Sequence, residues 1–417
     1  MKWEDVRDVQ QLKVSSGAFA AVLGTGEVVT WGDISAGGDS QRVRQQLVNV
    51  RSVQSSAFAF AALRRDGTVI TWGDHRFGGD SEAKKEELVG VTSITGSGRA
   101  FAAIRQDGSV VTWGSEDCGG DCREVDAELT EVERIYSTFS AFAAIRRDGS
   151  VVAWGDKHGG GDITDVQQEL FEVELIHGSS HAFAAVRADR RVVTWGSADS
   201  GGDSRLVSHE LHDVQQVQAT DASFSAVRLD GSVVSWGGRG FNRLRSPSVR
   251  GLKDVQQVSS TDGAFAALLG DGRVVTWGEE DYGGDCKQVA DELINVQSVQ
   301  GSNSAFAAVK IDGTVVTWGD PQVGGDCSRV KSRLKDVHCT YLRRRNFARG
   351  IATEAPEPME DAAPAPPPAP APPPPAPASA PEMDDAKDGD AASVASSGVE
   401  YDAVDGSSSV RGPFPPL

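Results

Sequence analysis

Trp-Gly recurs at Trp31, Trp72, Trp113, Trp154, Trp195, Trp236, Trp277 and Trp318, each 41 residues after the last, with no insertion or deletion between copies. A fixed period of that length means one supersecondary unit copied and stacked, each copy burying a face that it cannot bury alone. Such a chain is expected to work as a surface rather than as a catalyst.

The third copy shows the unit. Val91-Thr-Ser-Ile-Thr alternates as a strand does, and two further runs, Ala100–Arg105 and Ser109–Gly114, flank Asp107-Gly108. β-prone runs around Asp-Gly predict a hairpin, because glycine takes positive φ without steric cost. The pair recurs at Asp66, Asp148, Asp230, Asp271 and Asp312, whereas copy one has Thr25-Gly26 and copy five Asp189-Arg190. An arginine held in that turn is strained. Both faces of the hairpin are apolar, which requires a sheet sandwiched between neighbours. Alanines let the sheets approach, and one Phe and one Trp per copy fill the wider gaps.

After Trp-Gly comes a variable stretch, then Gly-Gly-Asp at Asp39, Asp80, Asp121, Asp162, Asp203, Asp285 and Asp326. Apolar residues follow four and eight positions later, as at Val43 and Leu47. That spacing predicts a helix of about two turns, capped by the aspartate. Calcium would need six to eight oxygens converging on one point, and one carboxylate per blade spreads them apart. Capping is the expected role, with no metal and no cofactor. The histidine pairs His177/His181 and His209/His212 read as turn or solvated residues rather than ligands, and no hydrolase, protease or nucleotide motif appears. A non-enzyme is expected.

The expected fold is all-β with short inter-blade helices: a β-propeller of eight 41-residue repeats over residues 1–350, with seven blades as the alternative. Residues 351–417 form a separate region. From Thr353 they hold 16 of the 18 prolines, and 12 acidic side chains against two basic ones. Few apolar residues and many prolines predict a disordered acidic tail whose Pro-Ala block extends as polyproline II. Its segments Pro364–Pro367 and Pro372–Pro375 have the spacing that aromatic grooves accept. A net charge of −19 argues against nucleic acid. The N-terminal stretch lacks an apolar secretory core, no segment has the length of a membrane span, and the five cysteines are sparse. A cytoplasmic monomer is expected, with the nucleus as an alternative location.

One copy departs from the pattern. After Trp236, Gly-Gly-Asp is absent, and Arg239, Phe241, Arg243, Arg245 and Arg250 surround Pro247. In a net-negative chain this is a basic, aromatic patch of the kind that anchors protein interfaces. It is the candidate partner-binding site.

The run from Ala305 to Gly319, Ala-Phe-Ala-Ala-Val-Lys-Ile-Asp-Gly-Thr-Val-Val-Thr-Trp-Gly, recurs in near-identical form through the chain. It resembles the regulator of chromosome condensation repeat superfamily. The short period is similar to the compact branch typified by the bacterial β-lactamase inhibitor propeller, and the repeats also resemble those of large HECT-type ubiquitin ligases. The resemblance implies a β-propeller, usually of seven blades. Here eight hairpins are followed by a decayed ninth start, Leu334 to Val337 and Asn346-Phe347-Ala348. The loop insertions and basic tail on which the family's nuclear exchange factor relies are absent. So is the Gly-Trp-Arg-His-Thr setting of the plant ultraviolet receptor. The function expected is a non-catalytic scaffold binding a protein partner. A module in small-GTPase exchange or in substrate recognition for ubiquitin ligation is the alternative.

Overall fold

The computed structural model describes residues 8–238, 249, 251–335 and 337. The chain divides into two units, Met1–Arg343 and Arg344–Leu417. The tail expected over 351–417, with its motifs at Pro364, Pro367, Pro372 and Pro375, lies outside the described residues.

Eight three-stranded antiparallel sheets follow one another, each made from consecutive strands. The first blade comprises Val9–Val14, Ala18–Leu23 and Val28–Gly32, and the last Val296–Gly301, Ala305–Lys310 and Val315–Gly319. Eight complete blades set aside the seven-bladed alternative. Within a blade the middle strand pairs with both others, as in Phe142↔Trp154 and Tyr136↔Ala143. The Asp-Gly hairpins form as the sequence implies: Asp66 Oδ1 accepts the Thr68 amide at 3.0 Å and Gly67 sits at φ 79°. Blade five keeps the same turn with Arg190 at φ 62°.

Blades stack by mating unlike faces. The trailing face of blade four (Ala141, Ala143, Ile145, Val151) packs against the leading face of blade five (Ile176, Phe183, Val193, Trp195). In all eight blades the Phe of the middle strand stacks on the Trp of the last strand, with centroids 5.2–5.5 Å apart. The indole Nε1 then reaches the preceding blade: Trp195 donates to the Gly160 carbonyl at 2.9 Å. Gly160 must be glycine on two counts, its φ of 100° and the Phe183 ring 2.6 Å from where a Cβ would stand. A backbone ladder runs through the blades as well, with Ser16 donating to Ala57, Ala57 to Gly98, Gly98 to Phe139, and so on to Asn303.

The predicted two-turn helices are not formed. The segment after Gly-Gly-Asp is a set of turns, with three-residue 3-10 pieces such as Glu82–Lys84 and Gln167–Glu169. One turn closes where the Leu47 amide bonds the Val43 carbonyl at 3.2 Å. Leu47 must then enter the core between blades, and Asn49 at φ 56° reverses the chain into the next strand. No length remains for a second turn. The aspartates act as caps even so. Asp39, Asp80, Asp121, Asp162, Asp203, Asp285 and Asp326 each accept the amide two residues on, at 2.8–3.0 Å.

Candidate interaction surface

Between Trp-Gly and Gly-Gly each described copy makes one exposed 3-10 turn: Ile34–Ala36, His75–Phe77, Glu116–Cys118, Lys157–Gly159, Ala198–Ser200, Glu280–Tyr282 and Pro321–Val323. Its backbone takes the same course each time, with an aspartate cap in four of the seven. Asp33, Asp74, Asp156 and Asp320 cap the start, and a glycine in the left-handed region ends it. A buried or half-buried hydroxyl from the turn before the middle strand fixes the far end. Ser15 donates to Ala36 O, Ser56 to Phe77 O, Thr138 to Gly159 O and Thr261 to Tyr282 O, all at 2.8–2.9 Å. One frame therefore presents seven different side-chain sets at equivalent places.

The side chains on this face change along the chain. In blades two and three, Phe58 meets Phe77 edge-on with centroids 4.7 Å apart, and the Arg99 guanidinium lies 4.9 Å over the Phe77 ring. Arg76, beside them, pairs with Asp74 at 2.6 Å. In blade four the Phe139 ring occupies space that Gly98 leaves open, since a Cβ there would lie 2.4 Å from it. Its other neighbour is His181, with ring centroids 6.2 Å apart. Further on the face turns acidic. Asp221 and Asp262, with Phe139, Ser180 and Ser302, line a cavity of about 360 Å³. Burial, then the like charge of Asp221, pushes the Asp262 carboxyl up to about 6, against a hydrogen bond from Asn303 that lowers it. Arginine–aromatic clusters anchor protein interfaces, and a partly desolvated carboxylate pair favours a cationic neighbour.

The histidine pair read from the sequence is separated by the fold. His181 is on this face, while His177 is half-buried with its Nε2 enclosed and without a hydrogen-bond partner, and desolvation lowers its pKa to about 4. His212 pairs with Asp213 at 2.8 Å. Among the described residues, no group of three or more His, Cys, Asp and Glu side chains could hold a metal. No described helix is long and apolar enough to cross a membrane.

Arg239, Phe241, Arg243, Arg245 and Arg250 lie outside the described residues. Trp72, Trp113, Trp154, Trp195, Trp236 and Trp318 each donate to a glycine carbonyl of the preceding Gly-Gly, whereas the buried Trp277 Nε1 has no acceptor among the described residues. Sequence reading missed the Phe58–Phe77–Arg99 cluster. Its signal was there: Phe58 and Arg99 stand at the phase occupied by Gly17, Ser140 and Gly263 in other copies.

No family model matches the chain, and no curated protein does. Solved structures do. One is yeast RCC1 (Prp20) bound to Kap60, at 17% identity, covering 56% of this chain and 70% of that one, with a TM-score of 0.36. A second is the ectodomain of the Physcomitrella patens receptor kinase CR4, at 14% identity, covering 64% and 72%, with a TM-score of 0.40. A third is the computationally designed Ika8 protein, at 14%, covering 75% and 96%, with a TM-score of 0.35. Three-stranded blades at a 41-residue period fit an RCC1-like repeat propeller. That likeness is one of fold, carried by the repeat unit rather than by these distant superpositions.

Proposed function

We propose that the chain is a non-catalytic scaffold that binds a protein partner through the face bearing the 3-10 turns. One observation carries this reading: the seven described copies of this turn hold a common frame and differ in side chains. Binding residues concentrate on loops that a rigid scaffold positions, and variation confined to such loops is what recognition needs. The Phe58–Phe77–Arg99 cluster supplies rigid anchors and the Asp221–Asp262 pair an acidic counterpart, so the partner surface carries both acidic or apolar groups and cationic ones. Exchange activity on a small GTPase is the separate alternative, distinguished by whether the chain accelerates nucleotide release.

The test begins with affinity capture from the native lysate and identification by mass spectrometry, followed by calorimetry with the purified partner. Phe58→Ser with Arg99→Ser, which copy the small residues found at that phase in other blades, should weaken binding about tenfold or more. Unchanged affinity in that double variant and in Asp221→Asn/Asp262→Asn would remove the face from consideration.

A further inference from the structure

Blade three inverts a pairing that its siblings keep. In each described copy of the 3-10 turn, the residue that opens the turn lies beside the residue just before the middle strand. A backbone bond sets this: Asp33 donates to Gly17, Asp156 to Ser140 and Ser115 to Arg99, at 2.9–3.0 Å. The opening residue carries a carboxylate in five of the seven, Asp33, Asp74, Asp156, Glu279 and Asp320, and is serine at 115 and 197. That carboxylate is in reach of its neighbour. Ser140 Oγ donates to Asp156 Oδ2 at 3.1 Å, and a Cβ on Gly17 would lie 3.2 Å from that of Asp33. In blade three the neighbour is a cation, Arg99, and the acid is replaced by Ser115, whose side chain makes no cap bond.

Arg99 turns to blade two instead, its guanidinium 4.9 Å over the Phe77 ring and its Nε enclosed without a partner. Among the described residues no carboxylate pairs with it. Asp74, in the turn that carries Phe77, is taken by Arg76 at 2.6 Å. The chain shows the completed arrangement elsewhere: Arg187 lies 3.7 Å over Phe171 and also pairs with Asp189 at 3.0 Å. Arg99 has the ring without the acid. We propose that a carboxylate of the protein partner completes it, an Asp or Glu side chain docking on Arg99 while an apolar neighbour packs on Phe58 and Phe77. The inference rests on the reading of this face as the binding surface and names the chemistry that one part of it reads. Stacking on a ring pre-orients a guanidinium, whose two terminal nitrogens then form a fork matched to a carboxylate. An acid at position 115 would have closed the site from within.

A random peptide library displayed on phage and selected on the full chain tests this, with calorimetry on the selected peptides. Peptides with Asp or Glu beside an apolar residue should be enriched. Arg99→Ser and Ser115→Asp should each weaken them about tenfold or more. Both variants copy residues that blade four carries at those positions, and circular dichroism checks that they fold. Replacing the acid of a selected peptide by its amide should cost as much on the wild type and nothing on Arg99→Ser, a coupling that a merely structural loss would not produce. Peptides without an acid, or acidic ones that bind Arg99→Ser unchanged, would overturn the proposal. Peptides lost in Asp221→Asn/Asp262→Asn but kept in Arg99→Ser would overturn it while leaving the face a binding surface. A selection that enriches nothing would overturn both.

Discussion

The joint between blades four and five and the joint between blades six and seven share the Phe–Trp stack and differ at the indole N–H. At the first, Trp195 stacks on Phe183 and its Nε1 bonds Gly160. At the second, Trp277 stacks on Phe265 at 5.5 Å, is 2% exposed, and has no acceptor for its N–H among the described residues. The strands supply the stacking, and the Gly-Gly segment of the preceding blade supplies the acceptor. Between blades six and seven the ring pair packs with Val227, Val249, Val255 and Val258, and the Asp221 amide bonds the Asp262 carbonyl. A buried donor left unmade costs about 1–3 kcal/mol, so this is the weak joint of the series.

The largest test of that comparison is truncation of the shared element. Phe183→Ala should destabilise by about 3–5 kcal/mol in denaturant unfolding, because it empties a fully enclosed site. Phe265→Ala should cost as much, and a much smaller loss would mean that the joint between blades six and seven is already loose.

Acidification probes blade five through His177. Its folded pKa of about 4 lies below the ordinary 6.5, so the neutral ring's contribution is full above pH 6.5 and fades as pH falls toward 4. The loss amounts to about 3 kcal/mol. Asp262, raised to about 6, acts in the opposite sense: it favours the fold below pH 3.8 and loses that contribution as pH rises through 6. After discounting for its solvent exposure this is about 1 kcal/mol. Stability measured against pH should thus fall on acidification in the wild type, fall more steeply in Asp262→Asn, and flatten in His177→Gln.

Replacing each indole by phenyl isolates the single bond. Trp195→Phe should cost about 1–2 kcal/mol more than Trp277→Phe, since only the first strands a carbonyl that had a donor. Equal losses would show that the missing bond carries no energy. Smallest is the blade-five turn: Arg190→Gly, at φ 62°, should stabilise by about 1 kcal/mol as judged by thermal unfolding.

The hairpins, the Phe–Trp pairs and the capping aspartates were legible because each rests on chemistry local to one copy. Asp66 with Gly67 needs only its own turn, and Asp39 only the amide of Gln41. The helix after Gly-Gly-Asp was misread because Val43 and Leu47 have helical spacing for another reason, both packing into the gap between blades. The Phe58–Phe77–Arg99 cluster draws on two blades and three loops, so no single repeat displays it.

The backbone ladder from Ser16 to Asn303 has a mechanical consequence. Each of its bonds ties one blade to the next, so the order of a blade rests on its neighbours. Among the described residues blades one and eight each share one ladder bond, and the six blades between them share two. Amide exchange should be fastest in strands Val9–Val14 and Ala305–Lys310 and slow progressively inward, with the longest-lived amides in the middle blades. A local opening in one blade would be felt first by the blades that share its ladder bonds, so order would be lost blade by blade rather than all at once.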